Sequence, residues 1–524
     1  MNLKHIKYYS LVALTAVTFG ATSCIGDLDV TPINPQVTQT FDKDAVFAKV
    51  YAAFSLTGQQ GAAGNNDIDI PDEGRYSLYR CLWNQNELTT DEAICAWGDA
   101  EVIELNTNSW SSTNTSTEAL YARLYFIVVS SNHFLEQTAG STDAATLKQR
   151  AEVRFLRALG YYYLMDLYGN VPFTETISDQ LPPQIKRADL YTYILKELTA
   201  CEPDMYAPKA APYYRVDKAA NWMLKSRIFL NAQVYTGTAQ WDSAMIYSKK
   251  VMDSAYKLAP VYKHIFMGDN AGTVDGSTVN KATDEIIFPI AADGIKTKSW
   301  GSSVFLLGST KAGDMPSRGT SEVWSGNRAR AALVKKFFPD GTVPSAADLT
   351  AAAVDDRALL YSVDRTVEVT KITDFKKGLS VIKYSNDRAD GKTPHDSQMP
   401  DMDIPFMRVA EAYLTYAEAN LRSSTGSSAV ALTTINALRA RSHAAPIVGL
   451  TLDKVLDEWA REFYFEARRR IDLIRFGYFS GSAYNWDWKG GVAAGTSFDS
   501  HYDIMPLPPG DINANTNLKQ NPKY

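Results

Sequence analysis

Three tryptophans occupy positions where a packing role is hard to argue. Trp97 follows Cys95-Ala96 and precedes Gly98-Asp99, Trp300 lies in Lys298-Ser299-Trp300-Gly301-Ser302, and Trp324 lies in Ser321-Glu322-Val323-Trp324-Ser325-Gly326. Small, polar, turn-forming neighbours keep all three off any helical stripe. An indole turned outward is a broad apolar face of low conformational cost, a platform for a ligand with a flat face of its own. A core anchor in a loop is the other reading of each. Cation binding is a second candidate chemistry. Asp401-Met402-Asp403 sets two carboxylates on alternate sides of a loop, and with oxygens from Asp269-Asn270 they could hold Ca2+. Asp403 also precedes an apolar-periodic run, and an N-cap that satisfies free helix N–H groups is the favoured reading.

Other constellations carry less. Arg468-Arg469-Arg470 would suit phosphate or an anionic lipid, but the Glu- and Asp-bearing stretch from Arg461 to Arg475 reads better as intrachain ion pairs on an amphipathic helix. No CxxC, no HExxH and only six histidines leave no zinc signature. Glycoside hydrolysis needs two carboxylates roughly 5–10 Å apart. With 59 acidic residues such a pair can always be imagined, and no motif selects one.

The first residues bear on location. Lys4 and Lys7, an apolar run from Leu11 to Phe19, and Ala21-Thr22-Ser23-Cys24 make a positive flank, a core too short to span a bilayer and a lipoprotein-type cleavage site. The sequence predicts a signal peptide over 1–23, lipidation of the Cys24 thiol, and a tether over 24–40 containing Asp27, Asp29 and Pro32. A plain cleaved signal with Cys24 incidental is the alternative. Up to three acyl chains on Cys24 suffice for stable anchoring. Loss of Lys4 and Lys7 takes the formal charge from -6 to -8, and no basic block appears, which argues against nucleic acid as a partner. After Cys24, Cys81, Cys95 and Cys201 remain. Cys81 and Cys95 are near enough in sequence to pair in an oxidising compartment; three free thiols in apolar surroundings is the simpler reading.

Periodicity positions these residues on a mostly helical frame. Helices are predicted over 41–58, 117–137, about 143–168, 187–203, 215–235, 239–256, 404–422, 428–442 and 451–476. In the third, Asp143 can cap the start, Leu147, Ala151, Phe155, Ala158 and Tyr162 share a stripe, and Gly169-Asn170-Val171-Pro172 stops it. Small and large residues alternate in 215–235, as in closely stacked helical hairpins. Residues 59–115 read as loop. Residues 257–400 rise in Gly, Ser, Thr and Asp and hold a strand-like piece at 285–290, and the tail from Tyr502 reads as an extended strip. The expected fold is mostly α: a tetratricopeptide-like helical hairpin scaffold (about 41–256 and 404–524) with an irregular, loop-rich ligand-binding lobe (about 59–115 and 257–400), all within a single domain over 41–524.

Four stretches resemble a known family: RFLRALGYYYLMDLYGNVPF (Arg154–Phe173), REFYFEARRRIDLIRFG (Arg461–Gly477), YDIMPLPPGDINANTNLKQNPKY (Tyr502–Tyr524) and Cys24-Ile25-Gly26-Asp27-Leu28-Asp29. The chain is similar to the SusD/RagB family of outer-membrane nutrient-binding lipoproteins. DEG at Asp72–Gly74, ELTTDEA at Glu87–Ala93 and WDWKGG at Trp486–Gly491 resemble its starch-binding branch. The resemblance implies tetratricopeptide-type helix pairs, a variable lobe that carries the ligand, no catalysis and no required cofactor. It implies a lid over a SusC-like TonB-dependent transporter on the cell exterior, capturing starch-type α-glucan and malto-oligosaccharides, with Asp27 and Asp29 as the surface signal. Trp97, Trp300 and Trp324 match the family's aromatic arc, on which the apolar face of glucose lies. Asp72 and Arg80 match residues that hydrogen-bond the sugar; a surface ion pair is their bland alternative. Three positions depart from the pattern. Cys95 stands where a further aromatic is expected, Trp300 replaces a tyrosine, and Gly98-Asp99-Ala100-Glu101 lacks an expected asparagine that Asp99 or Glu101 could replace.

Three functions compete on this basis. A surface glycan binder, for starch or a different polysaccharide, needs the three indoles exposed together. A glycoside hydrolase needs a carboxylate pair that no motif supplies. A helical-repeat adaptor that grips protein alone becomes the main reading if the indoles are buried.

Overall fold

Packed helices form the frame, and among the described residues six of them are started by a capping side chain: Ser77, Asn114, Asp143, Asp217, Ser427 and Thr451. The computed structural model describes residues 41–524 apart from 71 and 73; the expected signal peptide, Cys24 and the tether with Asp27 and Asp29 lie outside the described residues. Its main helices are α1 (Lys43–Ser55), α2 (Leu78–Trp83), α3 (Ala100–Asn106), α4 (Thr115–Gln137), α5 (Ala144–Tyr168), α6 (Arg187–Cys201), α7 (Lys218–Leu230), α8 (Trp241–Met252), α9 (Ser303–Thr310), α10 (Val409–Arg422), α11 (Ser428–Arg441), α12 (Leu452–Phe463) and α13 (Arg469–Phe476). Asp143 starts α5: its Oδ2 accepts the Thr146 N–H at 2.8 Å. Gly169 ends it at φ 75°, in the left-handed region a side chain would resist. Ala151, Phe155, Ala158 and Tyr162 are buried as their spacing demands, while Leu147, in the first turn, stands 39% exposed. α4 packs on α5, α5 on α6, α7 on α8, α8 on α10 and α10 on α11. Residues 44–524 form one compact unit.

The strands are short and pair two by two. β1 (Ala93–Cys95) runs antiparallel to β3 (Asn327–Ala329), with Cys95 opposite Asn327. β2 (Ile286–Ile290) pairs antiparallel with β4 (Ile404–Arg408). β4 corrects the expected helix over 404–422, which begins only at Val409. Ile404-Pro405-Phe406-Met407-Arg408 is buried on both faces apart from half-buried Phe406, and a short continuous apolar run of that kind cannot be told from a helix by period alone. The expected helix over 451–476 is also broken. Phe465 and Ala467 take positive φ of 65° and 59° between α12 and α13. The carbonyl exposed by this break accepts the Trp83 indole N–H at 2.9 Å and the Tyr384 hydroxyl at 2.7 Å, both at Phe465. The stretch 59–115, expected as loop, contains α2, β1 and α3.

Buried ion pairs tie helices to lobe. Arg408 pairs with Glu285 at 2.8 Å and with Glu462 at 2.6 Å, and Arg357 with Glu458 at 2.9 Å. Arg468, Arg469 and Arg470 are all buried; the first two form intrachain ion pairs, as expected, whereas Arg470 forms none among the described residues and donates to the Tyr502 carbonyl at 3.1 Å. Arg468, at the N-cap position of α13, pairs with Asp472 on that helix at 3.0 Å, and Arg469 reaches across to Asp91 at 2.7 Å. Removing one partner of such a pair costs about 3–5 kcal/mol, because the other charge is left buried alone. Cys81, Cys95 and Cys201 are free and buried, so the Cys81–Cys95 bridge is not formed. Burial pushes the Cys81 thiol up to about 11 and those of Cys95 and Cys201 to about 12.

Candidate functional site

The polar wall of the site begins at α2. Ser77 caps this helix, its Oγ accepting the Arg80 N–H at 3.4 Å, and the same hydroxyl donates to the Gly301 carbonyl at 2.8 Å. That bond pulls the 299–302 loop onto α2. A Cβ on Gly301 would lie 1.8 Å from Ser77 Oγ, so only glycine permits the approach that sets Trp300 in place. Trp97 leaves the end of β1, where the Ala96 N–H bonds the Gly326 carbonyl at 3.0 Å and the Trp97 Nε1–H donates to the Ser325 carbonyl at 2.6 Å. The Trp324 N–H bonds the Gly308 carbonyl on α9 at 2.9 Å, and its indole N–H donates to Glu322 Oε2 at 2.6 Å. Gln398 Nε2 in turn holds Glu322 Oε1 at 3.0 Å. Trp300 and Trp324 have ring centroids 6.3 Å apart with planes at 40°.

Asp72, Arg80, Trp97, Trp300 and Trp324 all line one open cleft of about 320 Å3, together with Arg75 and Asp99. The three cleft indoles are half-buried, whereas Trp83, Trp110 and Trp459 are fully inside. The Arg80 guanidinium lies 5.2 Å from the Trp97 ring centre and 5.0 Å from that of Phe305. Its Nε is buried without a hydrogen-bond partner, and it forms no ion pair among the described residues. Burial holds its pKa below the ordinary arginine value. The alternative reading of Asp72 and Arg80 as a surface ion pair is therefore not met among the described residues. Asp72 sits at φ 62° and its Oδ1 accepts the Arg75 N–H at 3.2 Å.

Arg75 was not legible in the sequence; only its place just after Asp72-Glu73-Gly74 hinted at it. Of the two acids considered as substitutes for the missing asparagine, Asp99 lines the cleft. Glu101 is buried against Arg75 Nε at 2.9 Å and the Tyr76 hydroxyl at 3.4 Å. Cys95 is buried and supplies no platform. A larger groove of about 630 Å3 lies around Phe173, Ile177 and Leu181, but no tryptophan and no basic side chain lines it.

The calcium set does not assemble as expected. Asp269 spends its oxygens on Asn280 Nδ2 at 2.9 Å and on the N–H groups of Ala389 and Asp390 at 2.9 and 3.2 Å. Asp403 caps no helix, since α10 starts after Arg408; its Oδ1 accepts the Ala292 N–H at 2.8 Å. Asp401 Oδ2 accepts the His395 N–H at 3.0 Å. Asp401 Oδ1 and Asp403 Oδ2 are buried without a partner, and burial pushes the Asp403 carboxyl well above the usual carboxylate range. Among the described residues no group of three or more His, Cys, Asp or Glu is placed to hold a metal ion.

The chain is 45% identical to the starch-binding protein SusD of Bacteroides thetaiotaomicron over 563 aligned residues, covering all of both chains. It belongs to the SusD family. Residues 360–524 match that family, and residues 69–239 match the family described as starch-binding associating with outer membrane. A SusD-like protein of Bacteroides ovatus is 23% identical over 71% of this chain and 68% of its own. Among solved structures, a SusD-like carbohydrate binding protein of Bacteroides fragilis superposes with a TM-score of 0.71 at 18% identity, covering 91% of this chain and 98% of that one. Surface glycan-binding protein A of Bacteroides thetaiotaomicron, in complex with laminarihexaose, superposes with a TM-score of 0.67 at 18% identity, covering 91% and 98%. The mostly helical architecture is thus the family's fold, and the chain is an outer-membrane-associated binding protein, not an enzyme.

Proposed function

We propose that the cleft captures starch-type α-glucan chains by stacking glucose rings on Trp97, Trp300 and Trp324, with Asp72 and Arg80 selecting hydroxyl geometry. The observation that carries this reading is the convergence of three half-exposed indoles and these two polar side chains on one open cleft. Aromatic faces give contact area at low conformational cost, and planar charged groups give orientation. The two Nη groups of Arg80, which donate to no acceptor among the described residues, have hydrogen-bonding capacity left for a hydroxyl at the cleft. Full-length similarity to a starch-binding relative supports the choice of glucan.

Two finer statements belong to the same proposal. Cys24 carries a lipid that anchors the protein to the outer membrane with its cleft facing the exterior, and the captured oligosaccharide passes to a SusC-like TonB-dependent transporter. Calorimetry of the mature protein with maltoheptaose, cellohexaose and laminarihexaose tests the main reading, with tryptophan fluorescence as a second signal. Binding of maltoheptaose alone, with no new reducing ends on incubation, is expected. Preference for another glycan replaces starch by that polysaccharide, and no binding to any of them overturns the site.

A further inference from the structure

We infer that the helical frame carries a second, shallower glucan platform where α7 meets α8, with the Trp222 indole as its floor. The inference rests on the glycan-binding reading above, since it assigns a further contact to the same polymer. Trp222 of α7 and Ile246, Lys249 and Lys250 of α8 line an open groove of about 680 Å3, which Asp253 also borders. This groove shares no lining residue with the tryptophan cleft. Trp222 is half-buried, as the cleft indoles are, and it is held by the same device as Trp324. Its Nε1–H donates to Glu202 Oε1 at 2.8 Å, and Glu202 Oε2 accepts from the buried Lys225 ammonium at 2.5 Å. In the cleft, Glu322 and Gln398 play these two parts. An indole whose N–H is spent within the chain has only its apolar surface left for a ligand.

Lys250 supplies the polar edge. Its ammonium lies 5.5 Å from the Trp222 ring centre and 5.0 Å from that of Tyr247, and it forms no hydrogen bond or ion pair among the described residues. Tyr247 is fixed in turn by stacking on Phe229, with centroids 5.5 Å apart and planes at 15°. Lys249 is paired with Asp253, and Ile246 stands 57% exposed. An apolar helix of a partner protein would bury the unpaired Lys250 charge here, at a cost. A hexose ring fits better: its C–H face covers the indole, while its hydroxyls accept from the ammonium and donate to the Asp253 carboxylate. One such platform is weak alone. A branched polymer already held in the cleft presents further chains at high effective concentration, so the platform adds most to the retention of polysaccharide.

Native electrophoresis with and without amylopectin in the gel tests the platform on wild type, Trp222→Ala, Lys250→Glu, Trp324→Ala and the Trp222→Ala/Trp324→Ala double variant. The ratio of the two mobilities cancels the charge change of Lys250→Glu. Trp222→Ala is expected to weaken retention about tenfold, the scale for loss of one stacking ring, and the double variant should be retained less than Trp324→Ala. Lys250 is exposed, so Lys250→Glu should fold. It should weaken retention in the same direction, and it carries the test alone if Trp222→Ala does not fold. Wild-type retention of Trp222→Ala and Lys250→Glu beside a weakened Trp324→Ala overturns the inference and leaves the cleft reading standing. No retention of the wild type, with no binding of maltoheptaose in solution, overturns both.

Discussion

The indole Nε1–H of Trp97 donates to the carbonyl oxygen of Ser325 at 2.6 Å, across 228 residues of sequence. Ser325 follows Trp324 directly, so one loop carries the second platform and clamps the first. Gly326 completes the clamp, because a Cβ there would lie 2.5 Å from Cε2 and Nε1 of Trp97. Gly326→Ala should therefore displace the indole and weaken maltoheptaose binding about tenfold while the melting temperature falls little. Unchanged affinity would show that Trp97 does not depend on that clamp.

Trp324→Ala removes a platform outright. The expected loss is about 1–3 kcal/mol of binding free energy, the range for truncating an aromatic anchor. Titration calorimetry reads it directly. A cost near zero for Trp97, Trp300 and Trp324 alike would defeat the site while leaving the family untouched.

Glu322 sets the plane of Trp324 through its indole N–H at 2.6 Å and is itself held by Gln398. Glu322→Gln keeps an acceptor and should bind as wild type. Glu322→Ala frees the ring and should cost about 0.5–1.5 kcal/mol. Equal behaviour of the two variants would remove Glu322 from the positioning of the platform.

What the sequence carried, and what it could not, follows the range of each interaction. Asp143 and the stripe of α5 are local, and both were readable from spacing. The three indoles were readable from their turn-like neighbours together with the resemblance. Asp403 was misread because Ile404–Arg408 continues the apolar run of α10 without a break, and only pairing with Ile286–Ile290 makes it a strand. Glu322 had no local mark at all, and Arg75 only its place just after Asp72-Glu73-Gly74. Their roles depend on Glu101 and Asp99 in one case and on a neighbouring ring's orientation in the other.

A pH dependence follows from Glu87 and Glu92, both fully buried beside the cleft's β1. Burial pushes the Glu87 carboxyl up to about 7, and burial with the neighbouring Glu87 charge pushes Glu92 well above the usual carboxylate range. The folded chain then holds protons that the unfolded chain releases between the ordinary carboxylate range and about pH 7. Stability from this pair is present in acid and falls as pH rises through that window. Glu92→Gln imitates the protonated form, so its melting temperature relative to wild type should climb from pH 5 to pH 8. A difference independent of pH would refute the raised carboxyl pKa values.

The three thiols should be silent. Cys81, Cys95 and Cys201 are buried with raised pKa values, so a thiol reagent at pH 8 should label the native protein only on unfolding. Rapid labelling of any one would place it at the surface.

The wide sequence separation between Trp97 and its Ser325 clamp has a temporal consequence. Chain segments so far apart meet only after the intervening helices have docked, since closing so long a loop early gains too little to offset its entropy. A newly made molecule thus acquires affinity for sugar late in its maturation, and retention on an amylose column would separate finished molecules from arrested ones.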